Sequence, residues 1–305
     1  MSLSKVEISQ WFMDLQDLIC KGVEDINGKT KFQEENWIRS GGGGGRTRVI
    51  QSERVIEKGG VNYSAVYGTI PEKVAQELAL PKDVEFYATG VSIVLHSTSP
   101  LVPIIHMNVR YFEISNGTYW FGGGIDITPH YIVPEDAKYF HQLLREVCQK
   151  HDTEYYPRFK QWADEYFYIK HREETRGIGG IFFDRLTESK EHSKQQLFDF
   201  VKDVGNVFLP AFNYLINRYA GKPYSAVEKN WQMLRRSRYV EFNLLYDKGT
   251  KFGLDTDGRT ESILMSMPPA AKWLYNYIPV ADSKEAETLI LLKKGIDWIN
   301  YTPSV

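Results

Sequence analysis

Hydrophobic and polar residues alternate along three segments in the first half of the chain, and this alternation predicts β-strands. The three segments are residues 90–97 (GVSIVLHS), 103–114 (PIIHMNVRYFEI) and 118–128 (TYWFGGGIDIT). A period of two residues is typical of strands that bury one face. The Asn116-Gly117 pair between the last two segments favours a two-residue hairpin. Residues 46–56 are typical of a weaker strand, and the glycines at 41–45 are expected to interrupt regular structure before it.

Other segments place hydrophobic residues three to four positions apart, which predicts helices. The first helix is expected at residues 5–27, within an N-terminal region of residues 1–30, and it places Phe12, Leu15 and Ile19 on one side. Further helices are predicted at residues 71–77, 134–151, 157–171, 193–219, 225–236 and 282–299.

Further strands are predicted in the second half of the chain. Residues 176–184 begin with a glycine turn and continue as a short apolar strand. Residues 239–247 and 251–254 are predicted to form a hairpin, followed by a strand at 259–267. Strands in hairpins and helices in blocks predict an α+β fold, with a largely antiparallel sheet covered by helices. Neither an internal repeat nor a long linker divides the sequence, so a single domain over residues 1–305 is expected.

The composition is that of an ordinary globular protein, with 305 residues of which 42% are hydrophobic and 25% charged. A formal net charge of -2 without a dominant basic run argues against nucleic-acid binding. The two cysteines, Cys20 and Cys148, cannot build a disulfide framework. The sequence has no apolar run of the ~18 residues that a membrane span needs. Since the N-terminal sequence MSLSKVEISQ has no signal-peptide pattern, a cytoplasmic location is expected.

One face of the predicted strand 103–114 carries the side chains best suited to chemistry. His106, Asn108 and Arg110 follow one another on that face. The planar fork of Arg110 suits a carboxylate, and an imidazole can exchange a proton near neutral pH. Ser92 and His96 share one face of the preceding strand, so the polar groups converge if the two strands are neighbours. A solvated face of an edge strand explains the same pattern equally well.

Asp126 lies between Ile125 and Ile127 and follows three consecutive glycines at 122–124. A carboxylate among apolar residues is costly unless it is paired or used, and glycines in a strand often mark a bulge or a closely approaching ligand. An unbroken two-residue hairpin would put Asp126 on the face opposite Arg110, whereas a one-residue bulge in the glycines would put it on the same face. The sequence leaves both registers open.

Cofactor motifs are weak in this sequence. The histidines on predicted strands and helices lack the HxH or HExxH spacing of a metal site, and structural or solvent-facing roles are favoured for them. The glycine-rich residues 41–45 lack the spacing of a phosphate-binding loop. Residues 176–180 lack the third glycine of a dinucleotide fingerprint.

Seven stretches in order along the chain give the sequence a specific resemblance to a known family. They are GGGGGRTRV (41–49), EKGGVNYS (57–64), HMNVRYFE (106–113), WFGGGIDITPHY (120–131), HREETRGIGGIFFD (171–184), RRSRYVEFNLLYDKGTKFGL (235–254) and RTESILMSMPP (259–269). Through them the chain resembles the oxygen-dependent coproporphyrinogen III oxidases. The resemblance implies a large flat antiparallel sheet covered by helices on both faces, and a homodimer with a contact through roughly residues 239–274.

The resemblance also implies site residues. His106 matches the proton donor of the family, Asp126 a carboxylate that holds the central pyrrole N–H groups, and Arg110 a further catalytic residue. The implied substrate contacts are Ser92, Asn108, Val109, Arg110, Asp257, Gly258 and Arg259. The positions matched to divalent-metal ligands in bacterial members are His96, His106, His141 and His171.

The implied reaction is the oxidative decarboxylation of two propionates of coproporphyrinogen III to vinyl groups, which gives protoporphyrinogen IX. O2 is the co-substrate, and no flavin, haem or nicotinamide is required. Two alternatives stay open: a histidine-metal-dependent oxygenase and a tetrapyrrole-binding module without catalysis. If the chain carries out the implied oxidative decarboxylation, Asp126→Ala is expected to abolish turnover and to leave a folded dimer.

Overall fold

A computed structural model describes residues 3–70, 75–76, 84–255 and 258–303. The helices are α1 (Lys5–Asn27), α2 (Pro134–Gln149), α3 (Tyr155–Tyr166), α4 (Lys194–Asn206), α5 (Phe208–Tyr219), α6 (Ala226–Leu245), α7 (Lys248–Asp255), α8 (Thr260–Leu264) and α9 (Lys284–Leu291). The strands are β1 (Gln33–Ile38), β2 (Gly43–Gln51), β3 (Ile56–Thr69), β4 (Glu85–Ser97), β5 (Ile104–Ile114), β6 (Tyr119–Thr128), β7 (Tyr168–Ile169), β8 (Glu174–Thr175) and β9 (Gly180–Leu186). Across these ranges, none of the helices is both long and apolar enough to cross a membrane.

Seven strands form one antiparallel sheet in the order β1-β2-β3-β4-β5-β6-β9, and β7 pairs with β8 in a separate hairpin. Neighbouring strands of the sheet follow one another along the chain from β1 to β6, as in a series of hairpins. The predicted α+β class with an antiparallel sheet is confirmed.

One face of the sheet is apolar and forms the core with the first helices. Alternate residues such as Ile93 in β4 and Met107 in β5 are fully buried on this face. They belong to the same cluster as Phe12 and Leu15 of α1 and Phe200 of α4. Burying a side chain of this size stabilises the fold by about 1.5–3 kcal/mol. Because side chains alternate along a strand, burial of one set on this face directs the other set of each strand to the opposite face.

The opposite face, here called the polar face, carries His106, Asn108 and Arg110 in β5. It is covered over part of its width by helices from the C-terminal half. Tyr239 of α6 packs on Val94 and Ile104, which also point to this side. Helices therefore lie on both faces of the sheet, as predicted.

The predicted hairpin at 239–247 and 251–254 and the predicted strand at 259–267 are wrong, because these residues form α6, α7 and α8. A capping box at Ser225 starts α6, which continues to Leu245 without an interrupting glycine or proline. The buried residues Trp231, Arg235, Tyr239 and Phe242 recur at helical spacing. The alternation in YVEFNLLYD covers only a short stretch, and the helical spacing of the buried residues outweighs it.

Other elements also differ from the prediction. The helix predicted at 157–171 ends at Tyr166, and β7 begins at Tyr168. The glycines at 43–45 lie inside β2, and β1 and β3 were not predicted. Glycines hide the alternation of side chains in β2 and β3, whereas β1 is almost entirely exposed and has no apolar face. The single helix predicted at 193–219 is two helices, α4 and α5. The C-terminal helix α9 ends at Leu291. Of the helix predicted at 71–77, all but residues 75–76 lies outside the described residues.

Candidate active site

The register of the central strands brings the candidate residues together on the polar face. His106 lies directly opposite Asp126, and Asn108 lies opposite Ser92. Ile114 N donates to Thr118 O at 2.9 Å, so the turn between β5 and β6 contains three residues. This turn length sets the register of the two strands. The β5–β6 pairing itself has no irregularity. The three-residue turn therefore puts Asp126 on the same face as Arg110. It differs both from the two-residue hairpin and from the bulge in the glycines that the sequence left open.

Glycines line the polar face beside these side chains. Gly122 lies opposite Arg110, and Gly124 lies opposite Asn108. A Cβ on Gly122 would stand 2.5 Å from Asp184 Oδ1 and 2.9 Å from Arg110 Nε. The absence of a side chain at position 122 therefore lets the Arg110 guanidinium lie flat against the sheet.

Asp126 is the centre of a buried chain of charged groups. His106 Nδ1 lies 2.6 Å from Asp126 Oδ1, and Arg176 NH2 donates to Asp126 Oδ2 at 2.5 Å. Asp126 and Arg176 are each only 2% exposed. Burial alone would raise the pKa of Asp126, but the charges of Arg176 and His106 and their hydrogen bonds hold it below its ordinary value. Asp126 is therefore ionised at neutral pH.

Arg176 is held in place by aromatic rings and by an amide. Its guanidinium lies 4.3 Å from the ring centroid of Phe167 and 4.7 Å from that of Tyr239. Its NH1 group donates to Asn243 Oδ1 at 3.1 Å. Helix α6, which supplies Tyr239 and Asn243, therefore supports the buried charge from the side opposite the sheet.

This arrangement decides which atom of His106 can act. An ionised carboxylate only accepts hydrogen bonds, so the proton between Asp126 and His106 is carried by Nδ1. In the neutral imidazole the second ring nitrogen, Nε2, then has the free lone pair and can accept a proton. The His106 side chain is 22% exposed, whereas that of Asp126 is 3% exposed. The imidazole is therefore the member of the pair that a substrate can reach.

Arg110 lies two residues further along β5 and is partly exposed. Its NH1 group donates to Asn108 Oδ1 at 2.8 Å, and its NH2 group lies 3.0 Å from Asp184 Oδ1. The Arg110 and Asp184 side chains are 35% and 32% exposed. A half-exposed guanidinium beside the His106–Asp126 pair can bind a carboxylate of a ligand on this face.

The remaining predicted substrate contacts are distributed over and beside the polar face. Ser92 is half-buried on this face. Val109 is fully buried on the apolar face, so only its backbone is available to a ligand on the polar face. Gly258 and Arg259 precede α8, where Arg259 pairs with Glu35 of β1. Asp257 lies outside the described residues.

Helix α8 lies over the outer strands of the polar face. Ser262 Oγ is 3.0 Å from Thr47 Oγ1, and Asn62 Nδ2 donates to Ser262 O at 3.0 Å. Met265 follows the helix, and its Sδ occupies the space above Gly60. The central part of the face, from Ser92 to Gly124, thus lies between α8 on one side and α6 on the other.

The four histidines predicted as metal ligands each have separate partners. His96 Nε2 lies 2.8 Å from Ser266 O, and His141 lies 3.0 Å from both Tyr156 OH and Ile178 O. His171 is exposed and contacts Tyr246 OH and Glu241. Within the ranges that the structure describes, His, Cys, Asp and Glu side chains form no group of three or more suited to a metal ion. The fold therefore does not bring the four histidines together into one site.

Three fully buried histidines predict a marked loss of stability in mild acid. Burial lowers the pKa of His96 and of His141 to about 3, and it lowers the pKa of His130 well below its ordinary value. In the unfolded chain these groups take up protons below about pH 6.5, so stability is fully present above that pH and decreases as the pH falls. Each contributes about 1.4 kcal/mol per pH unit below about pH 6.5, so together they lower the free energy of unfolding by roughly 6 kcal/mol between pH 7 and pH 5.

Urea denaturation at pH 7, 6 and 5 measures this effect. His141→Gln keeps a hydrogen-bonding side chain and is expected to remove about a third of the pH dependence. A free energy of unfolding that is constant from pH 7 to pH 5 in the unsubstituted protein would contradict the prediction.

Two residues of the site, Arg176 and Asp184, were not identified from the residue pattern. Arg176 lies in the loop before β9, where periodicity carries no information. Asp184 closes the apolar run IFFD, which predicts a strand but not the direction of its last side chain. Both residues lie in the stretch HREETRGIGGIFFD, which carries part of the family resemblance. This was the only indication in the sequence that they belong to the site.

A paired histidine and aspartate next to an arginine, on a glycine-lined face, define an enzyme site for a substrate that carries carboxylates. The coproporphyrinogen III oxidase family matches residues 7–298, and the chain belongs to this family. It is 42% identical to the oxygen-dependent coproporphyrinogen-III oxidase of Prochlorococcus marinus (strain MIT 9312), over 97% of this chain and 93% of the relative. It is 44% identical to the mitochondrial enzyme of Rattus norvegicus, over 97% of this chain and 69% of the relative. Coproporphyrinogen-III oxidase 1, chloroplastic, of Arabidopsis thaliana is also 44% identical, over 93% of this chain and 76% of the relative.

Proposed function

We propose that the protein is an oxygen-dependent coproporphyrinogen III oxidase, which converts two propionates of its substrate to vinyl groups and yields protoporphyrinogen IX. Membership of the family supports the reaction. The structural observation that carries the proposal is the His106–Asp126 pair next to Arg110 on a face free of side chains at Gly122 and Gly124. A macrocycle can approach such a face closely, and an arginine can hold one of its carboxylates.

The residues divide into two groups by the part of the substrate that they meet. Arg110 binds the reacting propionate, and Ser92, Asn108, Gly258 and Arg259 contact other parts of the macrocycle. His106 Nε2 meets the pyrrole N–H groups and exchanges protons with them. Asp126 acts through His106, because both of its oxygens are already paired with His106 and Arg176. This differs from the direct contact between Asp126 and the pyrroles that the resemblance implied.

The net reaction needs one proton for each propionate. A propionate, O2 and one proton give a vinyl group, CO2 and H2O2, in which the two electrons lost by the side chain reduce the oxygen molecule. His106 Nε2 removes a pyrrole proton, which makes the electron-rich ring reactive toward O2. The oxygen adduct takes a hydrogen from the propionate β-carbon as CO2 leaves and the C=C bond forms. His106 returns its proton to the pyrrole nitrogen, and the released peroxide takes up the one proton of the net reaction and departs as H2O2. The protein positions the propionate and keeps bulk water away from the adduct.

The first test is the reaction itself. Purified protein is incubated with reduced coproporphyrinogen III in air, with and without a chelator, and the porphyrins are separated by chromatography. Conversion to protoporphyrinogen in the presence of chelator is the expected result, and one H2O2 per vinyl group should accompany it. Conversion that requires added metal would support the metal-dependent oxygenase instead. Substrate binding without conversion under either condition would support the non-catalytic binding module.

We further propose a homodimer with its contact in the region of residues 239–274. Large apolar side chains are exposed in this part of the described chain, among them Leu244, Leu245 and Trp273. Exposed apolar groups concentrated in one region are typical of interaction surfaces. Sedimentation equilibrium should give twice the chain mass of 35.3 kDa, and a monomer would contradict this proposal.

The proposed location is the cytoplasm, and recovery of the protein in a membrane or organelle fraction would contradict that.

A further inference from the structure

Strand β9 is irregular at the point where it passes Arg110. Gly123 of β6 pairs with Phe183, but the next pair joins Phe121 to Leu186, so β9 has one extra residue there. Arg185 adopts φ +52° at this bulge. This left-handed conformation is unfavourable for a residue with a side chain and costs on the order of 1 kcal/mol. Asp184 precedes the bulge and lies on the polar face, because it alternates with Phe183, which is buried in the core.

Asp184 is close to Arg110 but is not an ideal partner for it. Asp184 Oδ1 lies 3.0 Å from Arg110 NH2, yet among the described residues this buried oxygen accepts no well-aligned hydrogen bond. The Nε and NH2 atoms of Arg110 both lie above Gly122, on the side where Asp184 stands. This edge of the guanidinium is the one with which arginine binds a carboxylate through two parallel hydrogen bonds.

We propose that Asp184 is a resident counter-ion of Arg110, which a propionate of the substrate displaces and which pairs with Arg110 again after decarboxylation. The inference rests on the proposed function, because it requires a substrate that brings a carboxylate and loses it. A propionate with two aligned hydrogen bonds is a stronger partner than Asp184 with one poorly aligned contact, so displacement is favourable.

The second half of the cycle follows from charge. When CO2 leaves, the vinyl group has no charge to offer, and Arg110 would be left without a counter-ion on a partly desolvated face. The return of Asp184 restores the balance and favours departure of the reacted side chain. The product still carries two propionates, so Asp184 also weakens product binding by competing with them for Arg110. Asp184 is thus a positioning residue that sets the affinity of the site for carboxylates.

Asp184→Asn preserves the shape of the side chain and removes its charge. We expect the variant to bind coproporphyrin III, the oxidised and unreactive form of the substrate, about 10-fold more tightly than the unsubstituted protein. KM should fall, because the substrate is held more strongly, and kcat should not rise, because the product is held more strongly as well; kcat/KM should not fall. A purely structural role for Asp184 would instead lower kcat/KM and leave KM unchanged or higher.

Fluorescence titration with coproporphyrin III and with its tetramethyl ester tests the charge dependence. The ester should bind equally well to both proteins. In an Arg110→Ala background, Asp184→Asn should have no effect on binding of the acid, since the two residues act as a pair. Asp199→Asn, at an exposed ion pair with Lys202 on α4, is the matched control and should leave binding unchanged. Asp184→Ala gives a second variant, and thermal denaturation shows that each protein is folded.

The outcomes separate this inference from the proposed function. If the unsubstituted protein binds and converts the substrate but Asp184→Asn and Asp184→Ala bind coproporphyrin III no more tightly, the counter-ion role is wrong and the proposed function stands. Equal tightening for the acid and the ester would also overturn the counter-ion role. If the unsubstituted protein neither binds coproporphyrin III nor converts coproporphyrinogen III, both proposals are wrong. If it converts the substrate without binding coproporphyrin III, an unchanged KM in Asp184→Asn would overturn the counter-ion role alone.

Discussion

Replacement of Asp126 by asparagine is expected to reduce kcat/KM by a factor of about 10³ or more. An asparagine side chain can offer its N–H to His106 Nδ1, which favours the tautomer with the proton on Nε2. The imidazole would then lack a free Nε2 lone pair for the pyrrole proton, and it would lose the negative charge that stabilises its protonated form. Loss of a positioned general base typically costs 10²–10⁴ in rate, and loss of the charge adds to this.

The same substitution is expected to lower stability, because Arg176 would remain buried without its counter-ion. Removal of one partner of a buried ion pair typically costs about 3–5 kcal/mol. Asp126→Ala, which leaves a cavity as well, would be less stable still. The folded dimer expected from the sequence for Asp126→Ala should therefore be markedly less stable than the unsubstituted protein. The asparagine variant is the more informative test.

Steady-state kinetics with coproporphyrinogen III and thermal denaturation measure the two effects of Asp126→Asn separately. Asp203→Asn is a suitable control, since Asp203 Oδ2 also lies 2.7 Å from a histidine, His151 Nε2, away from the polar face. This control should lose some stability and no activity. Turnover of Asp126→Asn within 10-fold of normal would remove Asp126 and its hydrogen bond from the mechanism.

Replacement of Arg110 by alanine is the second large effect that we expect, with a decrease in kcat/KM of about 10²–10³. A charge-assisted bidentate contact that fixes the reacting propionate corresponds to roughly 3–4 kcal/mol of transition-state stabilisation, and each 1.4 kcal/mol is a factor of ten. The fold should be almost unaffected. Arg110 is about one third exposed, and ion pairs of this kind contribute only about 0–1 kcal/mol to stability.

Arg110→Lys separates charge from geometry. Lysine retains the positive charge but not the planar fork, so we expect activity between that of the alanine variant and that of the unsubstituted protein. Arg158→Ala, at an exposed arginine that stacks on Phe159 of α3, is the control for removing an arginine elsewhere. If Arg110→Ala kept KM and kcat within a factor of three, the reacting propionate would have to bind somewhere else.

The sequence by itself determined the type of structure in the part of the chain where side chains alternate. Residues 90–128 had to form strands, because only a period of two residues buries Ile93, Met107 and Ile125 on one side. The same period put His106, Asn108 and Arg110 on the other side. The ordered stretches shared with the family then identified the chemistry that these residues serve. These conclusions depend on local pattern alone, and the structure confirmed the strands.

Only the tertiary structure decided how the site is assembled. One extra residue in the β5–β6 turn put Asp126 opposite His106, and a preference for Asn-Gly turns of two residues could not predict it. Arg176 comes from a loop, where no periodicity reports the direction of a side chain. Asp184 lies near Arg110 only because β9 pairs with β6, a contact between strands that do not follow one another along the chain. The helices within residues 239–267 meet the sheet through contacts between residues distant in sequence: Tyr239 of α6 packs on Val94 and Ile104, and Ser262 of α8 hydrogen-bonds with Thr47 and Asn62. Local pattern fixes which face a strand side chain takes, whereas partners from elsewhere in the chain are chosen by long-range packing.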